Sequence, residues 1–131
     1  ILYWVSGNIF LDRDNRSKAH NTMTKLAERI NKDNLSIWMF PEGTRSQKHE
    51  MADFKPGSFK LASKAKAPVV PVVIDGTYKV FEQKKRVSKG ETVKVTILPA
   101  IDTVSLDRKS LADLPNQIEE AIKERLASDV N

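Results

Sequence analysis

Cysteine is absent from the 131 residues of this chain, which excludes disulfides and thiolate metal sites. That fits a reducing compartment without requiring one. Long apolar runs are lacking as well: the longest, Ala67–Ile74, is far short of the roughly 20 residues of a membrane-spanning helix. No signal peptide is visible. The chain opens on Ile1-Leu2-Tyr3-Trp4-Val5 with neither an initiator Met nor a basic n-region, and it is expected to be a piece of a longer protein. Internal repeats, low-complexity tracts and interdomain linkers are missing too, so 131 residues give at most one domain. Histidine is scarce. Neither His20 nor His49 has a carboxylate at a spacing that would orient an imidazole, so His20 reads as a helix-surface residue and His49 as a loop residue rather than a general base.

What is present is an ordinary globular composition, with 40% hydrophobic and 30% charged residues. The net charge of +5 favours anionic partners: nucleic acid, phosphorylated metabolites or an anionic bilayer surface. Against nucleic acid, the lysines are spread along the chain. Only Lys84-Lys85-Arg86 cluster, which reads as a solvated face, and no helix-turn-helix, zinc or RNA-recognition signature is found.

The stretch with the most chemistry is Phe40-Pro41-Glu42-Gly43-Thr44-Arg45-Ser46, directly after the apolar run Leu35-Ser36-Ile37-Trp38-Met39. Such a run ending in Pro and Gly predicts a buried strand breaking into a tight loop at its C-terminal end, where open α/β sheets place ligands. The loop offers a carboxylate (Glu42), a hydroxyl (Thr44), a guanidinium (Arg45) and a glycine (Gly43) that lets the backbone approach a ligand. Arg45 presents a planar fork suited to phosphate, so the loop reads as a receptor for an anionic, hydroxyl-bearing molecule. A strand-to-helix turn with a surface Glu42/Arg45 pair accounts for the same residues equally well.

Upstream, Ser6-Gly7-Asn8 is a turn and Ile9-Phe10-Leu11 a short strand stopped by Asp12-Arg13-Asp14. Arg13 thus leaves a strand end as Arg45 does, and two such arginines on one sheet edge could clamp one phosphate. A local ion pair of Arg13 with Asp12 or Asp14 is the competing reading.

From Asp14 or Asn15 a helix is predicted to about Asn31, with Ala19, Met23, Leu26, Ala27 and Ile30 as its core stripe. Residues 41–54 form a polar loop. Phe54–Phe59 closes it and starts a second helix that packs through Phe59, Leu61, Ala62 and Ala65 and ends at Ala67-Pro68. Val69–Ile74 predicts a strand buried on both faces, with Pro71 near an edge or the strand's start. Asp75-Gly76-Thr77 is a turn, and Lys89-Gly90 is a second turn signal. Thr92–Leu98 alternates as a strand with one face exposed. A last helix runs from about Ser110 or Asp113 to Ser128 on the stripe Leu111, Leu114, Ile118, Ala121, Ile122 and Leu126, with Pro115 in its first turn. This order predicts an α/β fold: a mostly parallel sheet with helices on both faces.

Phe40–Ser46 resembles the third signature block of the glycerolipid acyltransferases, the family that includes 1-acylglycerol-3-phosphate acyltransferase. Gly7-Asn8-Ile9-Phe10-Leu11-Asp12-Arg13 is similar to the second block, whose Arg is associated with the acceptor phosphate, and the Val-Pro-Val around Pro71 is similar to the fourth, which lines the site. The likeness runs from about Gly7 to Leu98 and is strongest to bacterial members. It implies acyl transfer from a thioester of coenzyme A or acyl carrier protein to the free hydroxyl of 1-acylglycerol-3-phosphate (lysophosphatidic acid), giving phosphatidic acid. It also implies no cofactor or metal, no nucleic acid, and work at an anionic membrane surface, the cytoplasmic face of a bacterial inner membrane. On this likeness Arg13 and Arg45 would hold the phosphate and Gly43 would allow close approach. Glu42 and Thr44 would position the glycerol hydroxyl or support the loop, with Gly7, Asp12, Pro41 and Pro71 supporting the site.

One departure matters. The family's catalytic pair, Asn-His followed after four residues by Asp, is not found, since no His here has Asp five positions later. The chain is therefore expected to be the C-terminal part, residues 1–131, of a single acyltransferase domain, inactive alone and holding the acceptor site without its general base. A module that binds a phospholipid or phosphometabolite without chemistry would share every one of these residues.

Overall fold

The computed structural model describes residues 16–43, 51–55, 57–80, 83 and 87–128. In chain order these form α1 (Arg16–Lys32), α2 (Lys60–Ala65), β1 (Val72–Asp75), the single turn α3 (Thr77–Val80), β2 (Lys94–Ile97) and α4 (Arg108–Ser128).

The apolar stripe of α1 does what its spacing predicts. Leu26 and Ala27 are buried against Leu61 and Ala65 of α2, with Met23, Ile30 and Ala67 around them. Lys64 Nζ donates to Thr24 Oγ1 at 2.6 Å, a second tie between the two helices. The caps expected at Asp14 and Asn15 lie outside the described residues. Both helices end in left-handed residues that are not glycine, Asn34 (φ 53°) and Lys66 (φ 52°). At each, the amide one residue later reaches back five residues in the Schellman manner: Leu35 N–H to the Ile30 carbonyl at 3.2 Å and Ala67 N–H to the Ala62 carbonyl at 3.0 Å.

A second core forms under α4, where Leu114, Ile118 and Ile122 bury against Val73 of β1 and Phe54. The helix starts earlier than Ser110, because Asp107 accepts the Ser110 N–H at 2.7 Å as its N-cap. Pro115 consequently lies inside α4 rather than in its first turn, where it removes one amide donor from the helix.

The sheet differs from expectation. Among the described residues it has two strands, β1 and β2, and they pair antiparallel with Val72 opposite Ile97 and Val73 opposite Thr96. Among the described residues of the connection the one helical turn is α3, and the chain folds back instead of crossing over to a parallel neighbour. Gly76 makes that return possible: its φ is +88°, and a Cβ there would run into the Thr92 carbonyl oxygen. Pro71 sits just before β1, where the missing N–H costs nothing, and its carbonyl accepts the Leu98 N–H at 2.9 Å.

Among the described residues, Val69–Ile74 is fully covered on one face only. Val73 is buried toward α4 while Val72 and Ile74 are half-buried on the other side. The alternation in β2 is real, but the apolar side is the open one, with Val95 58% and Ile97 70% exposed. Register explains this: Thr96 pairs with the inward Val73, so its neighbours Val95 and Ile97 must point away from α4. Helices on both faces are thus not observed among the described residues. Nor is the strand predicted at Leu35–Met39. That run carries no ladder, and Trp38 and Phe40 are 63% and 65% exposed, stacked edge to face on each other at 6.3 Å.

Candidate functional site

The Phe-Pro-Glu-Gly block is a tight corner. Gly43 N–H donates to the Phe40 carbonyl at 3.1 Å, closing a four-residue turn with Pro41 at the position whose φ its ring presets. Gly43 leaves the corner at φ 71°, a left-handed conformation that a side chain would oppose.

Three further bonds clamp this corner to the stretch on the far side of the loop. The Pro41 carbonyl accepts the Lys55 N–H at 2.9 Å and the Ser58 hydroxyl at 3.1 Å, and Glu42 Oε2 accepts the Ala52 N–H at 2.8 Å. The chain that leaves at Gly43 and returns at Met51 is therefore held at both ends. One Glu42 oxygen is thus engaged within the loop itself.

The returning stretch is anchored a second time by α4. Glu119 Oε2 accepts the Phe54 N–H at 3.0 Å, and its other oxygen takes a bond from Lys123. Those bonds, that from Lys123 first, hold the Glu119 carboxyl below the usual carboxylate range, and the same contact raises Lys123. The Phe54 ring is buried with Leu114, Ile118 and Ile122 and lies 6.1 Å from Phe59.

Of the residues nominated from sequence, Pro41, Glu42 and Gly43 are brought together in this corner. Pro71 is not one of its partners; it lines a shallow apolar groove of about 500 Å³ with Leu98, Pro99, Ile101, Ile118 and Ala121. Gly7, Asp12, Arg13, Thr44 and Arg45 lie outside the described residues, as do His49 and the Lys84-Lys85-Arg86 cluster. His20 is exposed on α1. Sequence reasoning missed Glu119 and Ser58. Glu119 and Lys123 read as one more surface pair four residues apart, and nothing in the sequence says that Phe54 arrives beside them.

Among the described residues, no group of three or more acidic, His or Cys side chains could hold a metal ion, and no helix is long and apolar enough to cross a membrane.

A family model described as Acyltransferase matches residues 1–75. Over 129 residues, 97% of the chain, it is 46% identical to a 1-acyl-sn-glycerol-3-phosphate acyltransferase of Haemophilus influenzae, of which it covers 52%. Over 126 residues, 96% of the chain, it is 35% identical to the protein of the same name from Escherichia coli, of which it covers 51%. Among solved structures, the 1-acyl-sn-glycerophosphate acyltransferase PlsC of Thermotoga maritima superposes with a TM-score of 0.66 at 27% identity, covering 85% of this chain and 45% of that one. The chain thus spans about half the length of the curated relatives it matches.

Proposed function

The chain belongs to the acyltransferase family, and we propose on that premise that it is the C-terminal part of a domain that acylates 1-acylglycerol-3-phosphate to phosphatidic acid in phospholipid synthesis. The acceptor's free hydroxyl oxygen bonds to the carbonyl carbon of an acyl thioester. The carbon–sulfur bond breaks, and the hydroxyl proton passes through a His of the upstream block to the departing thiol of coenzyme A or acyl carrier protein. Direct transfer of this kind needs no covalent enzyme intermediate, metal or other cofactor. The observation that carries the reading is identity of 46% across 97% of the chain to a relative named for this reaction.

In this reading the present chain supplies the acceptor site. Arg45 and Arg13 take the phosphate, Gly43 lets the backbone approach it, and Thr44 adds a neutral hydrogen bond. Glu42 acts through the loop, as its bond to Ala52 supports. On this reading the complete protein works at an anionic membrane surface, the cytoplasmic face of a bacterial inner membrane.

Thioester consumption with lysophosphatidic acid as acceptor tests this, in the chain as given and in the complete natural protein. Arg45→Ala in the complete protein is expected to weaken acceptor use about tenfold to a hundredfold, as loss of a charge-assisted contact of roughly 1.5 to 3 kcal/mol implies. Unchanged acceptor KM and kcat would remove Arg45 from the site.

A second reading is favoured by one feature, the lack of a His with Asp five positions on. The chain by itself binds a phospholipid or phosphometabolite without turning it over. Binding of lysophosphatidic acid by a chain that consumes no thioester is its signature.

A further inference from the structure

α4 lies wholly beyond residues 1–75, the span the family model matches, yet it contributes one of the bonds that hold the loop's returning strip. Glu119 is only 17% exposed. The amide it accepts belongs to Phe54, whose ring is enclosed in the α4 core, so that N–H has little access to water as an alternative partner. Within the same strip, Ala52 N–H is committed to Glu42 and Lys55 N–H to the Pro41 carbonyl. Residues 52–55 are therefore fixed in two directions at once, toward the Pro41–Gly43 corner and toward α4. The other carboxylate oxygen takes the bond from Lys123, so both oxygens of Glu119 are engaged and Oε2 is the one turned to Phe54.

We infer that Glu119 is a positioning residue for the acceptor site: by holding the Phe54 amide it sets where the Ala52–Lys55 strip stands, and through that strip where Glu42 and Gly43 are presented. What is presented to the acceptor rests on the reading given under Proposed function; the mechanical link does not.

Two readouts separate the two. In the complete natural protein, amide exchange is followed at Ala52, Phe54 and a set of α4 amides. In the same protein, acyl transfer to lysophosphatidic acid is followed with each substrate varied. Glu119→Ala is expected to speed exchange at Ala52 about tenfold with the α4 amides unchanged, and to raise acceptor KM about fivefold while donor KM and kcat stay within about twofold. Glu119→Gln keeps an acceptor oxygen at the same reach and is expected to restore both within about twofold. Should the Ala variant fail to fold, Glu119→Asp, which withdraws the oxygen by one carbon, is expected to speed Ala52 in the same way.

Unchanged exchange at Ala52 in the Ala or Asp variant overturns the inference. So does a general acceleration across α4 with acceptor KM, donor KM and kcat moving together, in the Gln variant as well, since that pattern belongs to a purely structural residue. If the complete protein transfers no acyl group, the proposed function fails while the Ala52 amide still decides the link.

Discussion

Glu42 and Ala52, ten residues apart, are joined by a 2.8 Å bond from the Ala52 amide to the Glu42 carboxylate, which spans the loop that follows Gly43. Because the acceptor is a side chain, the bond can be removed without touching the backbone. Glu42→Ala is expected to lower the unfolding free energy by about 1 to 2 kcal/mol, read from the urea midpoint, and Glu42→Gln by less than half of that, since its amide oxygen still accepts. Equal losses in the two variants would mean that the bond contributes nothing.

Lys66 closes α2 in the left-handed region at φ 52°, ψ 36°. A side chain there is strained by roughly 1 to 2 kcal/mol, and glycine relieves that at some cost in unfolded-state entropy. Lys66→Gly is expected to stabilise the chain by about 0.5 to 1 kcal/mol in a urea titration, the net of those two effects. Asn34→Gly at the end of α1 should gain less, because Asn tolerates this conformation better than Lys.

The carboxylates along α4 make the fold sensitive to acid. Asp107 is held low by the Ser110 N–H, Asp113 by the Asn116 side chain, and Glu119 by Lys123 and then the Phe54 N–H. A pKa depressed in the native state means that the unfolded chain binds more protons, so the stabilisation is complete above the unfolded values, about 4, and is lost as pH falls through the folded ones. The thermal midpoint is expected to drop between pH 7 and pH 3. The drop should be smaller in the double variant Asp107→Asn, Glu119→Gln, which keeps both acceptors without a charge to titrate.

The helices and the corner were legible in the residues, and the reasons are local. The stripe through Leu26 and Ala27, and that through Leu114, Ile118 and Ile122, follow from helical spacing alone, and both are buried as expected. The Phe40–Gly43 turn follows from Pro and Gly at their positions. What was not legible depends on neighbours. Alternation in Lys94–Ile97 tells which residues share a side of the strand, but the partner register, Thr96 against Val73, decides which side α4 covers. Leu35–Met39 has strand composition, yet a strand also needs a partner backbone, and among the described residues none is laddered to it. Glu119 meets Phe54 across 65 positions of sequence, a distance that periodicity does not reach. The two arginines on which the anion site was argued lie outside the described residues.

The exposed Val95 and Ile97 of β2 and the exposed Trp38 and Phe40 have a practical corollary. Such surfaces are what drive chains to associate with one another, and unladdered backbone next to them is a template for intermolecular strands. Copies of this polypeptide are therefore expected to meet through these outward-facing residues. The net charge of +5 opposes that association, so added salt, which screens it, is expected to bring on turbidity.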